Sequence, residues 1–221
     1  MRKTLTYLML LFVSGWLAAG CESDETAPQD RLPLLESEDV AGQAGYLALA
    51  VVELAPLALE YDGGKADASD GNYAYTFAAG GPIEGTVLLH FELDGAPSGY
   101  DVADYAAAFT ADASPLRVTI VEGGVPWLLA ADLETDLDQG AGTAVAYGSG
   151  TLTVGGYEAT WTLAAVAVAD AGQWPASGEL TFTNEGITAT VTYDGDDTAT
   201  VEVGDSAWVV NLNDGTLTPV I

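Results

Sequence analysis

From Asn72 onward apolar and polar residues alternate one for one, and turn residues interrupt the alternation at short intervals. Successive side chains of a strand point to opposite faces, so this pattern marks strands with one buried face. Val87, Leu89, Phe91 and Leu93 alternate with Leu88, His90, Glu92 and Asp94. Trp127, Leu129, Ala131, Leu133, Thr135 and Leu137 alternate with Leu128, Ala130, Asp132, Glu134, Asp136 and Asp138. Leu180 and Phe182 precede Asn184-Glu185-Gly186, which reads as a three-residue connection with glycine at a left-handed position. Ile187, Ala189, Val191 and Tyr193 then alternate with Thr188, Thr190 and Thr192, and Asp194-Gly195 begins the next turn. Ala199, Val201 and Val203 lead through Gly204-Asp205 to Trp208, Val210 and Leu212. Further strands are expected at 73–78, 115–122, 143–154 and 157–168, the last two joined by Gly155-Gly156. About nine or ten strands in short-turn succession predict a mainly β, antiparallel meander.

Each strand offers one apolar face, and that face needs cover. The cover is in the sequence. Val40, Ala44, Leu47, Val51 and Leu54 recur at helical spacing, and Ala48, Leu49, Ala50 and Val52 make the later turns apolar nearly all round. Ser37 is placed to cap this helix, Glu38 and Asp39 lie at its positive dipole end, and Pro56 stops it, giving a helix over about 38–55. The expected architecture is a strongly curved sheet or half-barrel with the helix on its concave face. The alternative is a β-sandwich. The curved form resembles, in architecture alone, the half-open barrels of periplasmic lipoprotein and lipid carriers. Leu163–Val168 is apolar at every position and is expected to be covered on both sides, while Tyr100–Ala113 fits either a short helix or a strand. Residues 37–221 read as a single domain.

Charge excludes one large class of partner. There are 33 acidic residues against 5 basic ones, a formal net charge of −28. Such a surface repels phosphate backbones, so nucleic-acid binding is not expected.

The amino terminus carries the most specific motif. Arg2 and Lys3 precede the apolar run Leu5–Val13, the small residues Ala18, Ala19 and Gly20 follow, and Cys21 is the sole cysteine. Leu17-Ala18-Ala19-Gly20-Cys21 resembles the lipobox of bacterial lipoproteins. That resemblance implies a signal peptide over residues 1–20, cleavage between Gly20 and Cys21, a diacylglycerol on the Cys21 sulfur and an acyl chain such as palmitate on the new amino group. Two or more chains give durable anchoring where one does not, at about 0.8 kcal/mol per buried methylene. Glu22 stands where enterobacterial inner-membrane retention signals carry aspartate, so the resemblance points to the outer membrane. Residues 21–36 are polar and acidic with Pro28 and Pro33 and read as a flexible tether. The expected location is the bacterial cell envelope, with the membrane engaged through the lipid anchor. Loss of the signal would leave Arg31, Lys65 and Arg117 as the chain's only fixed cations.

Chemistry is sparse. His90, the sole histidine, falls on the polar side of its strand beside Thr86 and Glu92, which suits a solvated residue better than a base. Gly148-Ser149-Gly150 lacks the flanking spacing of a nucleophile elbow. A glycoside hydrolase needs only two carboxylates, but with 33 present no pair stands out. No catalytic residue and no cofactor are assigned, and the chain is not read as an enzyme. Calcium, which takes oxygen ligands, has two weak candidate loops: Asp62, Asp67 and Asp70, and Asp194, Asp196 and Asp197. Trp127, Trp161 and Trp208 fall on apolar strand faces, leaving Trp174 before Pro175 as the aromatic expected to be exposed. The sequence thus predicts a non-enzymatic, lipid-anchored envelope protein with a structural or adhesive role. The alternative is a carrier or binding module for a lipid or other apolar ligand. The carrier requires an unfilled concave face.

Overall fold

The computed structural model describes residues 34–56, 72–77, 79–93, 96–97, 106–118, 127–138, 142–169 and 174–221. Helix α1 spans Ser37–Leu54. It is followed by β1 (Asn72–Thr76), β2 (Ile83–Glu84), β3 (Thr86–Leu93), β4 (Ala96–Pro97), β5 (Ala106–Val118), β6 (Trp127–Asp138) and β7 (Thr143–Val154). Then come β8 (Tyr157–Ala169), β9 (Ser177–Asn184), β10 (Ile187–Tyr193), β11 (Thr198–Val203), β12 (Ser206–Asn211) and β13 (Leu217–Pro219). All belong to one antiparallel sheet of order β1-β3-β5-β6-β7-β8-β9-β10-β11-β12-β13, with β2 on β5 and β4 on β3. The chain is the mainly β meander on one N-terminal helix that its alternation predicts, and its path is open, ending at β1 and β13.

Helix α1 packs across β9–β12 and also touches β5. Its Tyr46 ring meets Trp127 at the start of β6 edge-on, 5.5 Å between centroids. In a flat sheet β6 and β12 would lie about 29 Å apart, six strand spacings, whereas a helix is only about 10–12 Å across. The sheet therefore wraps around α1. Two devices bend it. A Cβ on Gly148 or Gly150 would run into the Asp132 and Ala130 carbonyl oxygens of β6, so only glycine lets these strands approach as they do. On β8 the register jumps between Ala164 and Ala167 against β9, with Ala165 at φ 51°. This bulge sharpens the local twist.

One apolar core runs through the body. It takes Val40, Leu47, Val51 and Leu54 from the helix and Leu129, Leu133, Trp161, Phe182, Val191 and Val210 from the sheet. Trp161 and Phe182 are paired across β8 and β9, and the Trp161 ring fills the space over Gly150.

Several expectations are corrected. Glu36, not Ser37, is the N-cap residue, and Asp39 Oδ2 accepts its backbone N–H at 2.8 Å. Glu185-Gly186 is a two-residue turn with both residues at positive φ (49° and 80°), because Asn184 and Ile187 already pair. The Leu163–Val168 segment is not covered on both sides: Ala164 and Ala165 are exposed at the bulge, where methyl groups give up little by facing water. Of the two readings open for Tyr100–Ala113, Ala106–Ala113 takes the strand, continuous with 115–118, since pairing with β3 and β6 on both sides overrides the helical preference of alanine, while 100–105 lie outside the described residues. Pro115, which cannot donate to a ladder, falls where the β5–β6 register shifts between Ala113 and Leu116.

Candidate functional site

The described body is electrostatically one-sided. No lysine or arginine occurs among the residues whose side chains are described, and no carboxylate there is buried. Asp132, Glu134 and Asp136 alternate with buried Leu133 and Thr135, so strand periodicity stacks three carboxylates on the outward face of β6. Register sets Asp112 of β5 opposite Asp132. Asp132, Glu134 and Asp136 are exposed to water.

The loops β10–β11 and β12–β13 lie against each other. The Leu212 N–H donates to the Asp197 carbonyl at 2.7 Å, and Asn213 Nδ2 reaches Asp197 Oδ2 at 3.4 Å. Asp196 Oδ1 accepts from the Thr198 hydroxyl at 2.7 Å and from the Thr198 N–H at 2.8 Å. These bonds, the hydroxyl foremost, hold its carboxyl below the ordinary range. Asp214 is lowered in the same way, first by the Thr216 N–H at 2.9 Å. Asp194, Asp196 and Asp197 are thus exposed turn residues. Among the described residues no three acidic, histidine or cysteine side chains converge as a metal would require. Asp62, Asp67 and Asp70 of the other candidate loop lie outside the described residues, as do Gly20 and Cys21. The backbone of His90 is described, in register with Asn72 and Thr110.

Inside the wrapped sheet the polar groups are few. Gln43 of α1 and Asn184 at the end of β9 are both buried, and Asn184 Nδ2 donates to Gln43 Oε1 at 2.7 Å. Asn184 Oδ1 and Trp161 Nε1 have no partner. The buried Tyr193 hydroxyl donates to the Ala48 carbonyl at 3.2 Å, and burial pushes it far above the usual tyrosine range. Tyr157, across from Glu185 and Asp39, is also raised, by lost solvation first and then by those carboxylates. The Asn184–Gln43 and Tyr193–Ala48 bonds tie the helix to β9 and β10. Trp174 is half-buried against the core and not the exposed aromatic expected, while Trp161 and Trp208 are in the core as their alternation implies.

Sequence reasoning missed the Gln43–Asn184 pair. Its signal was a lone amide at helical spacing between Val40 and Leu47, on the face that must be buried. It also missed the order of the hydroxyl residues outside the sheet, which register alone reveals: Thr151, Thr160, Thr183 and Thr188 stand side by side on β7–β10.

No family model, curated protein or solved structure matches the chain. Among the described residues no helix is long and apolar enough to cross a membrane.

Proposed function

We propose that the chain is a non-enzymatic, lipid-anchored protein of the bacterial cell envelope, with a structural or adhesive role at the outer membrane surface. The observation that carries this reading is Leu17-Ala18-Ala19-Gly20-Cys21, placed after a basic start and an apolar run and ending in the sole cysteine. Diacylation at Cys21 holds the body to the bilayer, and the acidic tether over 21–36 keeps it off anionic head groups. Occupation of the concave face by α1 favours this reading over a carrier, because the apolar surface a lipid would use is already covered by Leu47, Val51 and Leu54. The exposed, hydrogen-bonded carboxylates favour it over hydrolysis of a glycoside.

The test is metabolic labelling with an alkyne fatty acid in cells making the full chain. Label should enter the protein, processing should stop with globomycin, and Cys21→Ala should abolish both labelling and membrane partitioning. Unchanged partitioning of Cys21→Ala refutes the anchor.

A further inference from the structure

Two turns carry the same dipeptide, aspartate before glycine, and hold it in opposite ways. Asp194-Gly195 lies between β10 and β11, and Asp214-Gly215 between β12 and β13. Of the chain's five such pairs, the other three, Asp62-Gly63, Asp70-Gly71 and Asp94-Gly95, lie outside the described residues. An aspartate in this setting can react with its own backbone. The nitrogen of the next residue attacks the side-chain carboxyl carbon, the amide proton and the carboxyl hydroxyl leave as water, and a five-membered imide closes. Water then adds to either imide carbonyl. One opening restores aspartate, and the other gives isoaspartate, in which the main chain runs through Cβ and Cγ. Glycine favours the step because it has no Cβ to hinder the approach. The step still needs an untied nitrogen, an untied carboxyl and room to rotate.

Asp214-Gly215 meets none of these needs. The Gly215 N–H donates to the Asn211 carbonyl at 2.8 Å, and Asp214 Oδ1 accepts the Thr216 N–H at 2.9 Å. Gly215 is buried, and a Cβ built on it would lie 2.8 Å from the Tyr46 ring, so α1 closes over this turn. Asp194-Gly195 meets them all. Both residues are exposed. Among the described residues the Gly195 N–H has no partner, and the Asp194 carboxyl accepts no backbone N–H, its neighbour being the Asp196 carboxyl. A Cβ on Gly195 would come no nearer than 3.5 Å to any atom, the Ala176 Cα. The bonds that fix this turn begin one residue later, with Thr198 on Asp196 and Leu212 on the Asp197 carbonyl.

We infer that Asp194 is a site of spontaneous isomerisation to isoaspartate in the folded protein, and that burial under Tyr46 and two hydrogen bonds protect the identical pair at Asp214. The product keeps its carboxylate but gains one main-chain carbon beside Tyr193, the residue that pairs with Ala199 and whose hydroxyl holds the Ala48 carbonyl of α1. Cys21 takes no part in the reaction.

The test is slow incubation of the full chain in neutral buffer, with a parallel sample held unfolded in urea. Both are digested at intervals, and the peptides are read by electron-transfer mass spectrometry, which gives isoaspartate its own fragment ions. In urea the two aspartates should isomerise alike. In the folded chain Asp194 should proceed close to its rate in urea, while Asp214 should be at least about tenfold slower, because its two hydrogen bonds must open first. Asp194→Glu, whose longer side chain closes only a slower six-membered ring, should remove the signal from this turn with circular dichroism unchanged. Equal rates at the two aspartates of the folded chain, a faster Asp214, or an Asp194 that stays intact while its urea sample reacts overturns the proposal. So does a gap that is as wide in urea, which would place the cause in the sequence and not in the fold.

Discussion

Replacing Gln43 by leucine removes the partner of a side chain that is only 1% exposed, Asn184. The Asn184 Oδ1 is already unpaired, and its Nδ2 donates only to Gln43 Oε1 among the bonds described, at 2.7 Å. Gln43→Leu therefore leaves a whole buried amide unsatisfied, at about 1–3 kcal/mol, offset in part by the added apolar burial. Asn184→Leu has the milder effect. It strands Gln43, which at 8% exposure retains some water, but removes the existing orphan. The double change replaces both amides by hydrocarbon and should be close to neutral or stabilising.

The assay is urea unfolding of the four proteins of this cycle, followed by tryptophan fluorescence, with Trp161 and Trp208 as buried reporters. Gln43→Leu should lower stability by about 1–2 kcal/mol, a fall in Tm of about 2–8 °C for a body of this size. The single losses should exceed the double loss by about 1–2 kcal/mol, with urea slopes unchanged. Additive losses, or a Gln43→Leu protein as stable as its parent, would show that the two amides do not depend on each other, and the assignment of this pair as the polar link between helix and sheet would be wrong.

Tyr193→Phe removes the hydroxyl bond to the Ala48 carbonyl while that carbonyl keeps its helical donor, so it should cost about 1 kcal/mol in the same urea assay. Glu185 holds a left-handed φ of 49° before Gly186, and Glu185→Asn should raise stability by about 1 kcal/mol, read as a higher melting temperature. Asp196 and Asp214 have lowered carboxyl pKa values, so their contribution to stability is complete above the unfolded value of about 3.9 and is lost as pH falls through the lower folded value. Carboxyl NMR titration should place both midpoints below that of a model aspartate. Outward repulsion among Asp132, Glu134 and Asp136, with no described cation to relieve it, should make Tm rise by more than about 5 °C between 0.01 and 1 M sodium chloride; a flat response counts against it.

Alternation made the sheet legible because a buried face repeats every second residue wherever the other face meets water. The same rule failed where backbone geometry left it. Ala165 looks like core by composition, yet the bulge leaves it exposed beside the outward Ala164, and alanine gives too little apolar area to betray the error. Ala106–Ala113 has a helix-forming composition, and only the strands on either side make it β5. Trp174 precedes a proline in what reads as a loop, but its indole folds back onto the core, a contact that no local signal encodes.

The candidate sites divide along the same line. The β6 carboxylates could be assigned to water from the sequence, since Leu133 and Thr135 between them had to face inward. The rows of outward threonines could not. Thr160 and Thr162, Thr181 and Thr183, and Thr188 and Thr190 are each ordinary within their own strand, and they become a surface only when three hairpin registers bring the rows into line. Register on this sheet is set by Gly155-Gly156 and Glu185-Gly186 and by the bulge at Ala165, so the turn residues decide which hydroxyls become neighbours. A one-residue slip at either turn would carry those threonines into the core and bring Phe182 or Trp161 to the surface. The hydroxyl face and the apolar core are therefore two consequences of one pairing, and the threonine rows cannot be moved without unmaking the packing around α1.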